Sequence, residues 1–533
     1  MKRLALLLTF ALALVVFQAN AVLAEGERIF RLEEVPVGEI EPAKATDFAD
    51  LILVSNIYDG LVWPKAGGGV QPHLAESWAI SDDGMTYTFK LRAGIKFHDG
   101  SVMTADDVAF SMERMLTMKE GFSYLFDGWV ESWKAIDAQS ISITLSQSYA
   151  PFLGAMSRLP VVNKDLVMAN IAEGEYGDLG DYGTAFLSQA DAGSGAYAVK
   201  SHNKQDLTVM RRFDDYFLPF PANAPDEVRM RYGLEDATLR AMMSKGEHDV
   251  SSMWHPTPVY KALDQLDGIS AVMQPQSGVY YVKINTRRAP TDNVHFRRAI
   301  ALATDYDALA HLITVKDGVA GGVAGRGPIP LGMMGYDDKQ PLRKRDLDAA
   351  RAELAKANWD PDTTPAVQIT SHLCCATHAK VALLLAANLN EIGVKTDLQE
   401  MPWPMVMESA ANVETTPNLT PMIQLAATPD VDPLMYELYH SGSTGQWHNM
   451  EWLQNDEIDA LLVKARGEVD TAKREAIYLQ VNAMLIDLQP DIFLFDSAGV
   501  FAKRDNITLP FEDPAQRTGM IWADFNFRLV QVQ

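Results

Sequence analysis

Cysteine is nearly absent: there are two in 533 residues, and Cys374 and Cys375 are adjacent. A bridge between neighbours closes a small strained ring and cross-links no loop, so the fold does not rest on disulfides. Positive charge is also scarce. The 46 Lys and Arg face 70 Asp and Glu, for a formal charge of -24, which argues against a nucleic-acid groove or an anionic membrane surface as the main partner. After residue 24 no stretch reaches about 18 uninterrupted apolar residues, the length that marks a membrane-spanning helix. No repeat of about 20 to 50 residues and no low-complexity tract is visible. Catalytic signatures are missing as well: there is no Gly-x-Ser-x-Gly elbow, no His-Glu-x-x-His zinc helix and no Walker phosphate loop. Glycosidase carboxylates are signalled by no motif. The expectation is a protein that is not an enzyme and holds neither cofactor nor metal.

What is present is material for large cores, since 47% of residues are hydrophobic and 22% charged, a balance that excludes a disordered or fibrous chain. At roughly 100 to 200 residues per domain, the length calls for at least two lobes. The first 24 residues read as a cleavable secretory signal: Lys2 and Arg3 precede an apolar run over 4–17, and Val22-Leu23-Ala24 offers small exit residues before Glu25. No Cys follows to carry a lipid. A soluble, exported protein is expected.

Periodicity supplies the elements. Tyr87, Phe89 and Leu91 alternate with polar residues in one strand, and Ile141, Ile143 and Leu145 in another. Between them, Thr104 and Asp107 have capping-box spacing ahead of a helix with Val108, Met112 and Met115 on its buried stripe. Later, Asp346 caps a helix burying Leu347, Ala350, Leu354 and Ala357. A longer helix carries Val381, Leu384, Leu385, Asn388, Leu389 and Ile392, and Gly393 stops it before a strand over 394–398. Two more helices, marked by Ile458, Leu461, Leu462 and Ala465 and by Ile477, Tyr478, Val481 and Leu485, lead to a buried strand over 492–495. Alternating helices and strands predict an α/β lobe. A strand over 280–285 leaves this region and 492–495 returns to it, which gives two lobes joined by two crossing strands with a cleft between.

Several segments together resemble one family, the periplasmic solute-binding proteins of peptide and nickel ABC importers, or solute-binding family 5. The most specific is Leu91-Arg92-Ala93-Gly94-Ile95-Lys96-Phe97-His98-Asp99-Gly100, continuing through Thr104-Ala105-Asp106-Asp107-Val108-Ala109-Phe110-Ser111. Asn56-Ile57-Tyr58-Asp59-Gly60-Leu61-Val62, Leu74-Ala75-Glu76-Ser77-Trp78, Gly193-Ser194-Gly195-Ala196-Tyr197, Arg297-Arg298-Ala299-Ile300-Ala301-Leu302-Ala303-Thr304-Asp305 and Gly327-Pro328-Ile329-Pro330 follow in the family's order. These motifs describe scaffold rather than ligand chemistry. The resemblance implies a two-lobed α/β periplasmic binding protein fold with two crossover strands and an extra N-terminal subdomain. On this reading lobe I comprises 25–60, 193–283 and 500–533, the subdomain 61–192 and lobe II 284–499. It further implies a periplasmic monomer that closes on its solute by a hinge and presents it to an ABC permease with its ATPase subunits. The solute implied is a peptide, with an oligosaccharide, opine or metal chelate as alternatives. A secreted hydrolase and a chemosensory or chaperone role on the same fold are the competing functions.

Family position also nominates ligand contacts. Trp403 corresponds to a cleft Trp of peptide binders, suited to covering a peptide bond or a sugar face. The position of their amine-binding acid falls on Pro429, with Asp430 one residue on, and Ala426 stands where those relatives usually have Trp; both departures weigh against a dipeptide. Asp430 is read either as a partner for a cationic group or as a loop former. His372 and Cys375 belong to the 371–378 loop, which has three readings: a soft-metal site, a vicinal disulfide platform, or a plain loop with Thr377 as a cap. Tyr280 lies at the crossover, and because Tyr281 points to the opposite face one of the two is structural. Arg326 in a Gly-rich stretch suits a carboxylate, and the loop residue Trp447 completes the set.

Overall fold

The computed structural model describes residues 27–36, 38–372 and 376–533. The expected signal peptide at 1–24 and the loop residues Leu373, Cys374 and Cys375 lie outside the described residues.

Three larger sheets organise the chain. In the first, Ile29–Glu34 runs parallel to Glu227–Tyr232, and Leu207–Arg212 and Tyr197–Asn203 continue the sheet in antiparallel fashion. Phe30, Leu32, Met210, Val228 and Met230 bury one face against the helix Phe48–Ile57. That helix is apolar on nearly every side, as befits one enclosed by protein. The second sheet, Ala75–Ile80, Thr86–Leu91, Ser140–Leu145 and Val130–Asp137, is antiparallel throughout. Its alternating residues Tyr87, Phe89, Leu91, Ile141, Ile143 and Leu145 are buried and the intervening ones are not, as expected of a sheet packed on one face. The helix Ala105–Met118 starts at Thr104, whose N–H donates to the Asp107 carboxylate at 2.8 Å.

The third sheet has the order Gly322–Ala324, Asp491–Arg504, Ile269–Ile284, Leu419–Leu425, Val367–His372, Thr396–Met401. Its two central strands are the crossing strands, 16 and 14 residues long, far longer than the apolar stretches at 280–285 and 492–495 suggest. Gln274, Gln276, Ser277, Asp496, Ser497 and Lys503 interrupt the apolar pattern, yet all are buried, because elements of both lobes pack around the crossing. Isolated bridges from Leu32 to Val250 and from Val250 to Lys503 tie the crossing strands to the first sheet. The strand after Gly393 begins at Thr396 rather than Val394. Gly393 adopts φ +86° and the Val394 N–H bonds back to Leu389 O, so Val394 closes the preceding helix in a Schellman arrangement.

Three large cores result. One lies under the first sheet, one around the α/β part of the third. The largest joins the second sheet to the helices Val431–Tyr439, Asp456–Gly467 and Thr471–Leu488, so the second sheet packs directly against that helical layer. The chain is a two-lobed α/β protein.

Candidate functional site

At the crossing the strand pairing is broken. Pro275 pairs with Ala498 and Val279 with Asp496, so Gln276, Ser277 and Gly278 stand opposite Ser497 alone. Proline contributes no N–H, and a bulge absorbs the surplus residues. The bulge connects separate parts of the chain: the Ser277 N–H donates to Gly519 O and its carbonyl accepts from the Ala426 N–H, both at 2.8 Å. Around it, Gln276 Oε1, Gln424 Oε1, Ser497 Oγ and Trp522 Nε1 are buried without a hydrogen-bond partner among the described residues. Orphaned polar atoms are costly in a core and common where a ligand is received.

Beside this crossing lies a cavity of about 30 Å³, lined by Ser55, Tyr58, Trp63, Phe122, Arg158 and Trp522 among others. It has room for about two water molecules. The lining comes from the helix Phe48–Ile57, the chain leading into the second sheet, the 3-10 turn Met156–Arg158 and the short C-terminal helix Ile521–Asp524. Its Arg158 is tied to lobe II, since Arg158 Nε donates to Ala427 O at 2.6 Å. The guanidinium lies 4.5 Å from the Phe122 ring centroid and 4.2 Å from that of Trp522, and Trp63 meets Trp522 edge-on at 5.4 Å. Burial pushes Arg158 down to about 9, which leaves it cationic at neutral pH.

The residues nominated from sequence fall in three places. Tyr280, His372, Trp403 and Trp447 form one chain of rings through His378: Tyr280 to His378 at 5.1 Å, His378 to His372 at 4.2 Å, His372 to Trp403 and Trp403 to Trp447 both at 5.3 Å. Tyr280, His372 and His378 are buried and the two tryptophans are half-buried. Burial, reinforced by the neighbouring His372, pushes His378 down to about 3, so it is neutral. Tyr281 points the other way, into the largest core.

Asp430 already has a cationic partner within the protein. It caps the helix Val431–Tyr439 through the Asp432 N–H, and its two oxygens accept from both terminal nitrogens of Arg474 at 2.7 Å. Its charge is already matched inside lobe II. Arg326 is also engaged: one terminal nitrogen donates to Gln340 O, and its charge acts on Asp496, which burial pushes up to about 7. Cys375 lies outside the described residues, and among those described no group of three or more His, Cys, Asp or Glu is placed to hold a metal.

Sequence reasoning missed Trp63, Arg158 and Trp522. A signal existed for one of them: Arg158 is the only charged residue in 151–162, and a lone charge inside an apolar stretch needs a partner or a purpose.

Comparison with known proteins agrees with this architecture. A D,D-dipeptide-binding periplasmic protein of Escherichia coli K12, itself described as probable, is 28% identical over 472 residues, 86% of each chain. Heme-binding protein A of Haemophilus influenzae is 27% identical over 468 residues, 83% of this chain and 82% of that one. An ABC transporter-associated periplasmic binding protein from Helicobacter pylori, solved with the peptide STSA, has a TM-score of 0.75 at 22% identity, covering 95% of this chain and 98% of that one, which shows the shared fold. Among the described residues no helix is long and apolar enough to cross a membrane. Residues 69–446 match the family described as bacterial extracellular solute-binding proteins, family 5 Middle, and the chain belongs to that family.

Proposed function

We propose that the solute is a peptide or peptide-like molecule, held at the crossing between the lobes and delivered by a monomeric, exported receptor to an ABC permease. The observation that carries this reading is the meeting of lobe I, the second-sheet subdomain and the C-terminal segment around one cavity, whose Arg158 reaches across to the lobe II carbonyl of Ala427, near buried polar atoms that have no hydrogen-bond partner among the described residues. In this reading lobe I comprises 25–60, 193–283 and 500–533, the subdomain 61–192 and lobe II 284–499. The name of one relative, a probable D,D-dipeptide-binding protein, and a structural neighbour holding a peptide favour the peptide over other solutes. The cavity is too small for a dipeptide as it stands, so capture requires the lobes to part and close again. Only a solute that binds the closed form better than the open one shifts that balance. Ligand contacts, not reacting groups, are the role assigned to the site.

Thermal unfolding against dipeptides, oligosaccharides and opines tests this. A solute at 100 times its Kd adds about 2.7 kcal/mol, and peptides are expected to give the shift. Stabilisation by sugars or opines alone would retire the peptide. In the same assay Trp403→Ala is expected to weaken binding by about tenfold or more with the fold intact; unchanged affinity would remove the ring chain from the site.

A further inference from the structure

The geometry points to Arg158 as an anion anchor: the solute carries a carboxylate that docks on this guanidinium, while a free amine is not what the cleft selects. The inference rests on the reading of a solute held between the lobes and names its chemical class. Arg158 is 6% exposed, yet among the described residues no carboxylate lies within ion-pair distance of it, and Ala427 O is the acceptor it has. The acids of this region are otherwise engaged. Glu41 accepts from Arg114 at 2.6 Å, Asp430 from Arg474 at 2.7 Å and Asp432 from Arg466 at 2.9 Å. Asp59 meets His73, Ser194 and Tyr216. Glu437 is bonded to Tyr124 and is pushed by burial up to about 7.

A cation enclosed by protein without a counter-ion is strongly disfavoured unless something else supplies the charge. The side chain borders the cavity and is fixed between the Phe122 and Trp522 rings, and its Nε bond to Ala427 O holds it in place. A planar fork held in this way suits a carboxylate, which accepts two parallel N–H bonds. The opposite end of a zwitterionic ligand finds no matching acid at Asp430, because Arg474 occupies both oxygens. The expected solute is therefore an acid whose amine, if it has one, is dispensable.

The experiment compares matched dipeptides as free acid, N-acetylated acid and C-terminal amide, together with sodium benzoate, by thermal shift and tryptophan fluorescence. It uses the wild type, Arg158→Gln and Arg158→Lys, with folding checked by near-UV circular dichroism. In the wild type alone, acid and N-acetyl acid are expected to bind within about threefold of each other and the amide at least tenfold more weakly. Arg158→Gln is expected to abolish this preference and Arg158→Lys to keep part of it. Amides binding as well as acids would overturn the anchor and leave the peptide reading standing. Peptide acids failing while benzoate gives a response lost in Arg158→Gln would do the reverse. Absence of an Arg158-dependent response to every carboxylate tried overturns the anchor.

Discussion

Asp430 and Arg158 lie at the same junction, and among the described residues one has its opposite charge within reach and the other does not. Arg474 grips Asp430 with both terminal nitrogens, and the same carboxylate caps a helix. Removing one member of an enclosed ion pair leaves the other uncompensated, so Asp430→Ala is expected to lower the unfolding free energy by about 3 kcal/mol, read by urea denaturation. Solute affinity should fall no further than that loss of order explains. Full stability in the variant would instead free the carboxylate for the ligand. The ring chain shows the other side of sequence reading. Tyr280, His372, Trp403 and Trp447 were each nominated singly, and only the fold shows them in contact, joined by His378.

At the scale of elements, the crossing strands decide how the lobes are held. Gly278 sits where three segments converge: a Cβ there would lie 2.3 Å from Leu425 Cδ2, 2.6 Å from Gln424 O and 2.8 Å from Ser497 Oγ. The backbone contact with Gln424 O gives way only if a strand moves. Gly278→Ala is expected to cost about 2 kcal/mol of stability by overpacking and to weaken closure, measured as a smaller thermal shift with a saturating solute. An unchanged melting curve would show that the crossing tolerates expansion. The outer helices and strands were legible because their periods of 3.6 and 2 and their caps are local properties. The crossing strands were only half legible, since their polar residues are buried by other parts of the chain and alternation no longer marks the buried face.

For the whole molecule, enclosed titratable groups set a pH dependence. Burial pushes Glu34 up to about 8 and Glu437 and Asp496 to about 7. Each keeps a proton in the folded state that the unfolded chain has released, so stability falls as pH rises through this range. His378 at about 3 and His248 and His448 at about 4 are held down by burial and act oppositely, but their contribution is complete by about pH 6.5. Between about pH 6.5 and 8 the carboxyls prevail, and Glu34 alone is expected to remove about 2 kcal/mol. Denaturant melts across this window should show the decline, and Glu34→Gln should flatten it; a slope identical in the variant would place Glu34 outside the effect. The sequence by itself determined the α/β architecture, the two crossing strands and the family scaffold, because hydrophobic period, capping and turn residues act between near neighbours. Which charges remain available was decided by the tertiary structure alone: Arg474 lies 44 residues from Asp430, and the carbonyl that fixes Arg158 lies 269 residues away. A side chain becomes a ligand contact through the lack of a partner, and partners at such separations are set by how the lobes pack.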